Sequence, residues 1–77
     1  MLTGNFVFIS VEERESGGKI YKNVNLEMDD GQMIRIGVDD GVVEQMKKYQ
    51  SYTGFFKVGM FGRDVYIRLA GVQVSAK

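Results

Sequence analysis

The chain has 77 residues, with ten lysines and arginines against ten aspartates and glutamates, and it contains no cysteine, histidine or proline. This excludes disulfide staples and the Cys/His clusters of zinc sites, and the neutral balance argues against a polyanion binder driven by net charge alone. So short a chain buries only about 60% of the surface it exposes when unfolded, which predicts one domain over residues 1–77 that relies on a dense β core or on a partner.

The first predicted strand, Asn5 to Val11, sets Val7, Ile9 and Val11 on one side and Phe6, Phe8 and Ser10 on the other. Apolar groups on both faces point to a central strand. Phe6 and Phe8 are expected to pack under the N-terminal segment or at an interface between protomers. Glu12 to Gly18 is charged and ends in Ser-Gly-Gly, which reads as a flexible connection rather than a tight two-residue turn. A second strand is predicted from about Lys19 to Met28, with Val24, Leu26 and Met28 inward and Tyr21, Asn23, Asn25 and Glu27 outward. Asp29-Asp30-Gly31 then supplies a hairpin turn. The third strand, Gln32 to Val38, sends Ile34, Ile36 and Val38 into the core and Met33, Arg35 and Gly37 outward.

After Asp39-Asp40-Gly41 the period changes. Val42 or Val43, Met46 and Tyr49 recur at helical spacing, and Asp40 is placed to cap a short helix packed on the end of the core. The remainder, Tyr52 to about Val74, is a β-hairpin turning at Gly62-Arg63-Asp64. Its Phe56, Val58, Met60, Val65, Ile67 and Leu69 form an aliphatic face that can close a core. Lys57, Tyr66 and Arg68 lie among rings on the other face, and Phe61 stands at the tip. Rings and cations interleaved on one strand surface suit stacked bases and phosphates.

Three strands, a helix and two strands are the layout of an oligonucleotide-binding (OB) fold, an all-β five-stranded barrel whose strands two and three and adjoining loops contact single strands. Fold alone does not assign function. Catalysis is not expected, because there is no histidine or cysteine, hydroxyls are few, and the carboxylates sit in turns. Neither Asp29-Asp30-Gly31 nor Asp39-Asp40-Gly41 has the ligand spacing of an EF-hand, and Gly59-Met60-Phe61-Gly62 is not a phosphate-binding glycine loop. No metal or cofactor is therefore expected. The N-terminus lacks a basic region followed by an apolar stretch, and no apolar run nears the roughly 20 residues of a membrane span, so a soluble cytoplasmic protein is expected.

Three blocks carry a resemblance: Gly18-Lys19-Ile20-Tyr21, Ile34-Arg35-Ile36-Gly37-Val38-Asp39-Asp40-Gly41, and Phe56-Lys57-Val58-Gly59-Met60-Phe61-Gly62. They are similar to Gly-Lys-Pro-Tyr, to a Val-Lys-Ile-Thr-Leu-Asp-Glu-Gly segment, and to a hairpin differing only at Met60. All three belong to the helix-destabilising single-stranded DNA-binding proteins of filamentous phages, the gene-five type. The Val74-Ser75-Ala76-Lys77 end is similar to that family's Val-Pro-Ala-Lys. The resemblance implies a dimeric barrel that coats replicating DNA cooperatively in a bacterial host, with the last hairpin around the dimer dyad. By position, Tyr21 and Phe61 resemble base-stacking residues, Arg35 a strand lysine near DNA, and Arg68 the arginine after the hairpin. The segment between Tyr21 and Arg35 is shorter than in that family, so a tyrosine-bearing loop has no counterpart. The Glu12-Glu13-Arg14-Glu15 stretch is also more acidic than the family's arginine-bearing wing.

The expected ligand is single-stranded DNA, with single-stranded RNA as a second candidate and a second copy of the chain as partner. The candidate binding residues are Lys19, Tyr21, Arg35, Lys57, Phe61 and Arg68, with Lys22 beside them. Each has a plainer reading. Phe61 can be a ring buried between protomers, Tyr21 a sheet cover, and the cations solvated charges that block edge pairing. The alternative function is a protein interaction module of a replication or conjugation complex that uses the same aromatic face.

Overall fold

The computed structural model describes residues 2–74. Its strands are β1 Leu2–Ser16, β2 Lys19–Met28, β3 Met33–Val38, β4 Ser51–Phe61 and β5 Asp64–Val74. They close a barrel in the order β1-β2-β3-β5-β4, because β1 pairs with both β2 and β4. Only β3 and β5 run parallel, and they meet over just Gly37 with Arg68 and Val38 with Leu69. The predicted all-β barrel of OB type, with strands one to three as a meander and a closing hairpin, is the observed fold. The Ser75-Ala76-Lys77 part of the C-terminal resemblance lies outside the described residues.

Alternation on β2 and β3 follows the expected phase, with Val24, Leu26 and Val38 buried. Phe6 and Phe8 depart from expectation, since both lie in the barrel core rather than under the N-terminal segment or at a protomer interface. A bulge between Phe8 and Ser10 shifts the register, so Phe6 and Phe8 point inward before it and Val11 packs on the core after it. A strand apolar on both faces leaves its inward side undecided until such a bulge is seen. The Phe6 ring meets Phe56 edge-on at 6.2 Å and Tyr52 at 6.1 Å, separations at which aromatic pairs attract beyond simple burial. Gly54 makes this packing possible: a Cβ there would lie 2.5 Å from Phe6 and 2.9 Å from Phe56.

The expected helix is a single 3-10 turn, Val43–Gln45, and no side chain caps it. Val42 and Met46 are buried and plug one end of the barrel. Tyr49 instead has φ 66° and is 75% exposed, so the helical spacing of Val43, Met46 and Tyr49 does not describe one packed face. The Tyr52 hydroxyl accepts the Lys47 backbone N–H at 2.7 Å, and the Tyr49 N–H donates to the Phe8 carbonyl at 2.6 Å. These bonds tie the β3–β4 connection across the barrel end.

Two hairpins outrun the barrel and give the molecule its extents of 40 × 24 × 21 Å. Glu12–Ser16, expected as loop, continues β1 in register with Lys19–Asn23. The turn is two residues after all, Gly17 and Gly18 with φ 58° and 79°, both in the left-handed region that a type I′ hairpin demands and glycine tolerates. The second arm pairs Lys57–Phe61 with Asp64–Arg68 around Gly62-Arg63. The aliphatic face of this hairpin closes the core only at Phe56 and Leu69, whereas Val58, Met60, Val65 and Ile67 extend beyond the barrel and are exposed. No helix among the described residues is long and apolar enough to cross a membrane.

Candidate nucleic-acid interface

The outward phase of each strand sets a row of polar and aromatic side chains across the barrel wall. On β1 it carries Ser10, Glu12 and Arg14, and on β2 Asn25, Asn23 and Tyr21, with Asn25 opposite Ser10 and Tyr21 opposite Arg14. Asn25 also pairs with Arg35 on β3. Gly37, two residues on, pairs with Arg68 of β5, which pairs in turn with Lys57 of β4. Arg35, Arg68 and Lys57 are therefore neighbours on one continuous sheet face.

Tyr21 is half-exposed and forms a wall shared by two clefts. One, of about 390 Å³, is lined by Tyr21, Lys22, Asn23, Asp40 and Arg68 among others. The second, of about 380 Å³, is lined by Arg14, Ser16, Tyr21 and Asn23. A smaller one, of about 200 Å³, borders Arg35, Arg14 and Glu12. A ring with open space beside it and cations at its edges is a stacking platform for a flat ligand.

Lys19 and Phe61 stand apart from these clefts at the tips of the two arms, flanking the glycine turns. Phe61 shares the phase of Lys57 on β4 and is 82% exposed. At roughly 3.3 Å per residue it lies about 13 Å along the strand from Lys57. Between them Tyr66 lies over Gly59, where a Cβ would collide with the ring. An exposed aromatic at an arm's end reaches beyond its own barrel.

Most of the expected cations are already paired. Asp39 Oδ2 accepts Lys57 Nζ at 2.9 Å, and Asp39 Oδ1 accepts Arg68 Nε at 2.8 Å. Arg68 Nη2 donates to the Val38 carbonyl at 2.9 Å, and the guanidinium lies over Gly37. These contacts sit on the short β3–β5 seam, so Arg68 also clips the barrel shut. Glu12 accepts from Asn25 at 3.1 Å and from Arg35 at 3.3 Å. Lys22 lies 3.9 Å from Glu13 and 3.8 Å from Glu44. Arg68, then Lys57, hold the Asp39 carboxyl below the usual carboxylate range. Asn25, then Arg35, do the same for Glu12. Arg14 and Lys19 have no ion-pair partner among the described residues.

Arg14, in sequence only a loose match to the arginine-bearing wing of the family the chain resembles, is set opposite Tyr21 by the continuation of β1. One participant is absent from the sequence reading. Asp39 looked like a turn residue, although Arg35, Gly37 and Asp39 share one strand phase, the signal that places it on this face. Among the described residues no group of three or more carboxylates, histidines or cysteines is placed to hold a metal ion. Comparison with family models, with curated proteins and with solved structures finds no match to this chain.

Proposed function

We propose that this barrel is a sequence-independent single-stranded DNA-binding protein, without catalytic activity, that coats DNA as a homodimer during phage or plasmid replication in the bacterial cytoplasm. The observation that carries the reading is the grouping of Tyr21, Arg35, Arg68 and Lys57 on one outer face, with Phe61 on the same ribbon. In this account Tyr21 and Phe61 stack bases, while Arg35, Lys57, Arg68 and Lys19, joined by Arg14, meet phosphates. Every base offers a π-face and every nucleotide a phosphate, so such a face binds with little sequence preference, and single-stranded RNA competes through the same contacts. Titration of fluorescent oligo(dT) tests this directly. Saturable, salt-sensitive binding supports the reading, and its absence removes it.

The second copy belongs on the exposed side of the β4–β5 arm, where Val58, Met60, Val65 and Ile67 continue into an apolar groove lined by Leu2, Met28, Ile34 and Phe56. Exposed apolar strand faces of this kind mark association surfaces. A second reading, a protein interaction module, is favoured by the same apolar arm and by the carboxylates already paired with Arg35, Lys57 and Arg68. A partner protein, rather than oligonucleotide, then saturates the aromatic face.

A further inference from the structure

We propose that Asp39 is an internal phosphate surrogate, a carboxylate seated where a DNA phosphate binds, which together with Glu12 sets the strength and salt dependence of nucleic-acid binding. The inference rests on the DNA-binding reading and adds a determinant to it.

The geometry supports exchange. One Asp39 oxygen takes Lys57 and the other takes Arg68, the same two-oxygen, two-cation arrangement that a phosphodiester offers through its unesterified oxygens. Arg68 does not depend on Asp39 for its position. Its Nη2 remains on the Val38 carbonyl, and its guanidinium lies in the space left by the missing side chain of Gly37, where a Cβ would stand 3.0 Å from Nη1. Nor does Asp39 need its side chain to stay in the fold, since its backbone N–H donates to the Leu69 carbonyl at 3.0 Å. The Asp39 side chain is 29% exposed, and those of Lys57 and Arg68 are more open still. An incoming anion can therefore reach both cations from solvent while the carboxylate swings away. Glu12 occupies Arg35 more simply, through one oxygen of its half-exposed side chain that Asn25 shares.

Such exchange leaves a distinctive mark. A phosphate that displaces a carboxylate leaves that negative charge uncompensated on the protein, so each displacement offsets the neutralisation of about one phosphate. The face then behaves as if five cations, Arg14, Lys19, Arg35, Lys57 and Arg68, were offset by two carboxylates.

The test is oligo(dT) binding by wild type, Asp39→Asn and Glu12→Gln across a range of salt. With about 0.7 counterions released per neutralised phosphate on a single strand, each substitution should steepen the log affinity against log salt slope by about 0.7. Affinity at 0.1 M salt should rise about fivefold, and the double variant should show both effects together. If the wild type binds while a folded Asp39→Asn protein binds equally or more weakly with an unchanged slope, Asp39 is a structural clip and the inference fails, although DNA binding stands. Should Asp39→Asn not fold, Glu12→Gln decides alone, because an unchanged slope there overturns the surrogate mechanism. If neither wild type nor variants bind, the DNA-binding reading and this inference fall together.

Discussion

Replacing Phe61 by alanine isolates the stacking contribution, because the ring is 82% exposed and lies outside the barrel core. Little folding stability is at stake, since the substitution opens no cavity and Gly62-Arg63 still closes the hairpin. Base stacking on an aromatic residue is worth about 1 to 3 kcal/mol by alanine substitution. At about 1.4 kcal/mol per factor of ten, Phe61→Ala should raise the oligo(dT) Kd by about five- to a hundredfold. The slope of affinity against salt should not move, because no charge changes. Phe61→Tyr keeps the π-face and should bind within about twofold of wild type. Tyr21 stands on a different hairpin, so the Tyr21→Ala loss should add to that of Phe61→Ala within about 0.5 kcal/mol, as for distant sites. Fluorescence anisotropy reads affinity and circular dichroism checks folding. A folded Phe61→Ala protein with wild-type affinity refutes the stacking role of this ring.

Three further expectations follow from particular contacts. Gly54→Ala forces a methyl against Phe6, Phe56 and Leu69 and should cost about 1 to 3 kcal/mol of overpacking. In thermal melts that amounts to about 4 to 8 °C for each kcal/mol, and an unchanged Tm contradicts the packing described. Asp39 titrates below the usual carboxylate range in the folded barrel because Arg68 and Lys57 donate to it. Its contribution is therefore present above the unfolded value, near 3.9, and is lost as pH falls through the folded value. The Tm gap between wild type and Asp39→Asn should accordingly narrow on acidification from pH 7 toward pH 2.5, and a gap that holds or widens speaks against the ion pairs. The double substitution Val58→Asp, Ile67→Asp places charge on the apolar arm and should convert a dimer to monomers in sedimentation velocity, whereas a wild type already monomeric at micromolar concentration removes the proposed dimer surface.

The elements that close the barrel are legible in the sequence because burial imposes a strict period on them. Val24-Asn25-Leu26 and Ile34-Arg35-Ile36 each alternate as one wet and one dry face require. What escapes is everything beyond the barrel wall. Glu12–Ser16 has no core beneath it, so its strand carries no apolar alternation and its charges read as loop. Only the paired glycines at 17 and 18 hint at a two-residue turn. Val58, Met60, Val65 and Ile67 alternate correctly, yet periodicity cannot tell a face buried in its own core from one left open. Val42 and Met46 do face the core, but the chain needs only one turn to deliver them before Tyr49 turns outward. The candidate site was legible in its phase, which groups Arg35, Arg68 and Lys57. It was not legible in its charge balance, because the partners of those cations, Asp39 and Glu12, come from distant positions.

The most direct measurement is the titration of fluorescent oligo(dT) with the wild-type protein at several salt concentrations. Arg14, Lys19, Arg35, Lys57 and Arg68, offset by the paired Asp39 and Glu12, predict saturable binding with a log–log salt slope of about −2, and a Kd within roughly 10⁻⁴ to 10⁻⁶ M or tighter at physiological salt. No anisotropy change at low salt, where phosphate attraction is strongest, or an affinity indifferent to salt, contradicts a face built for bases and phosphates.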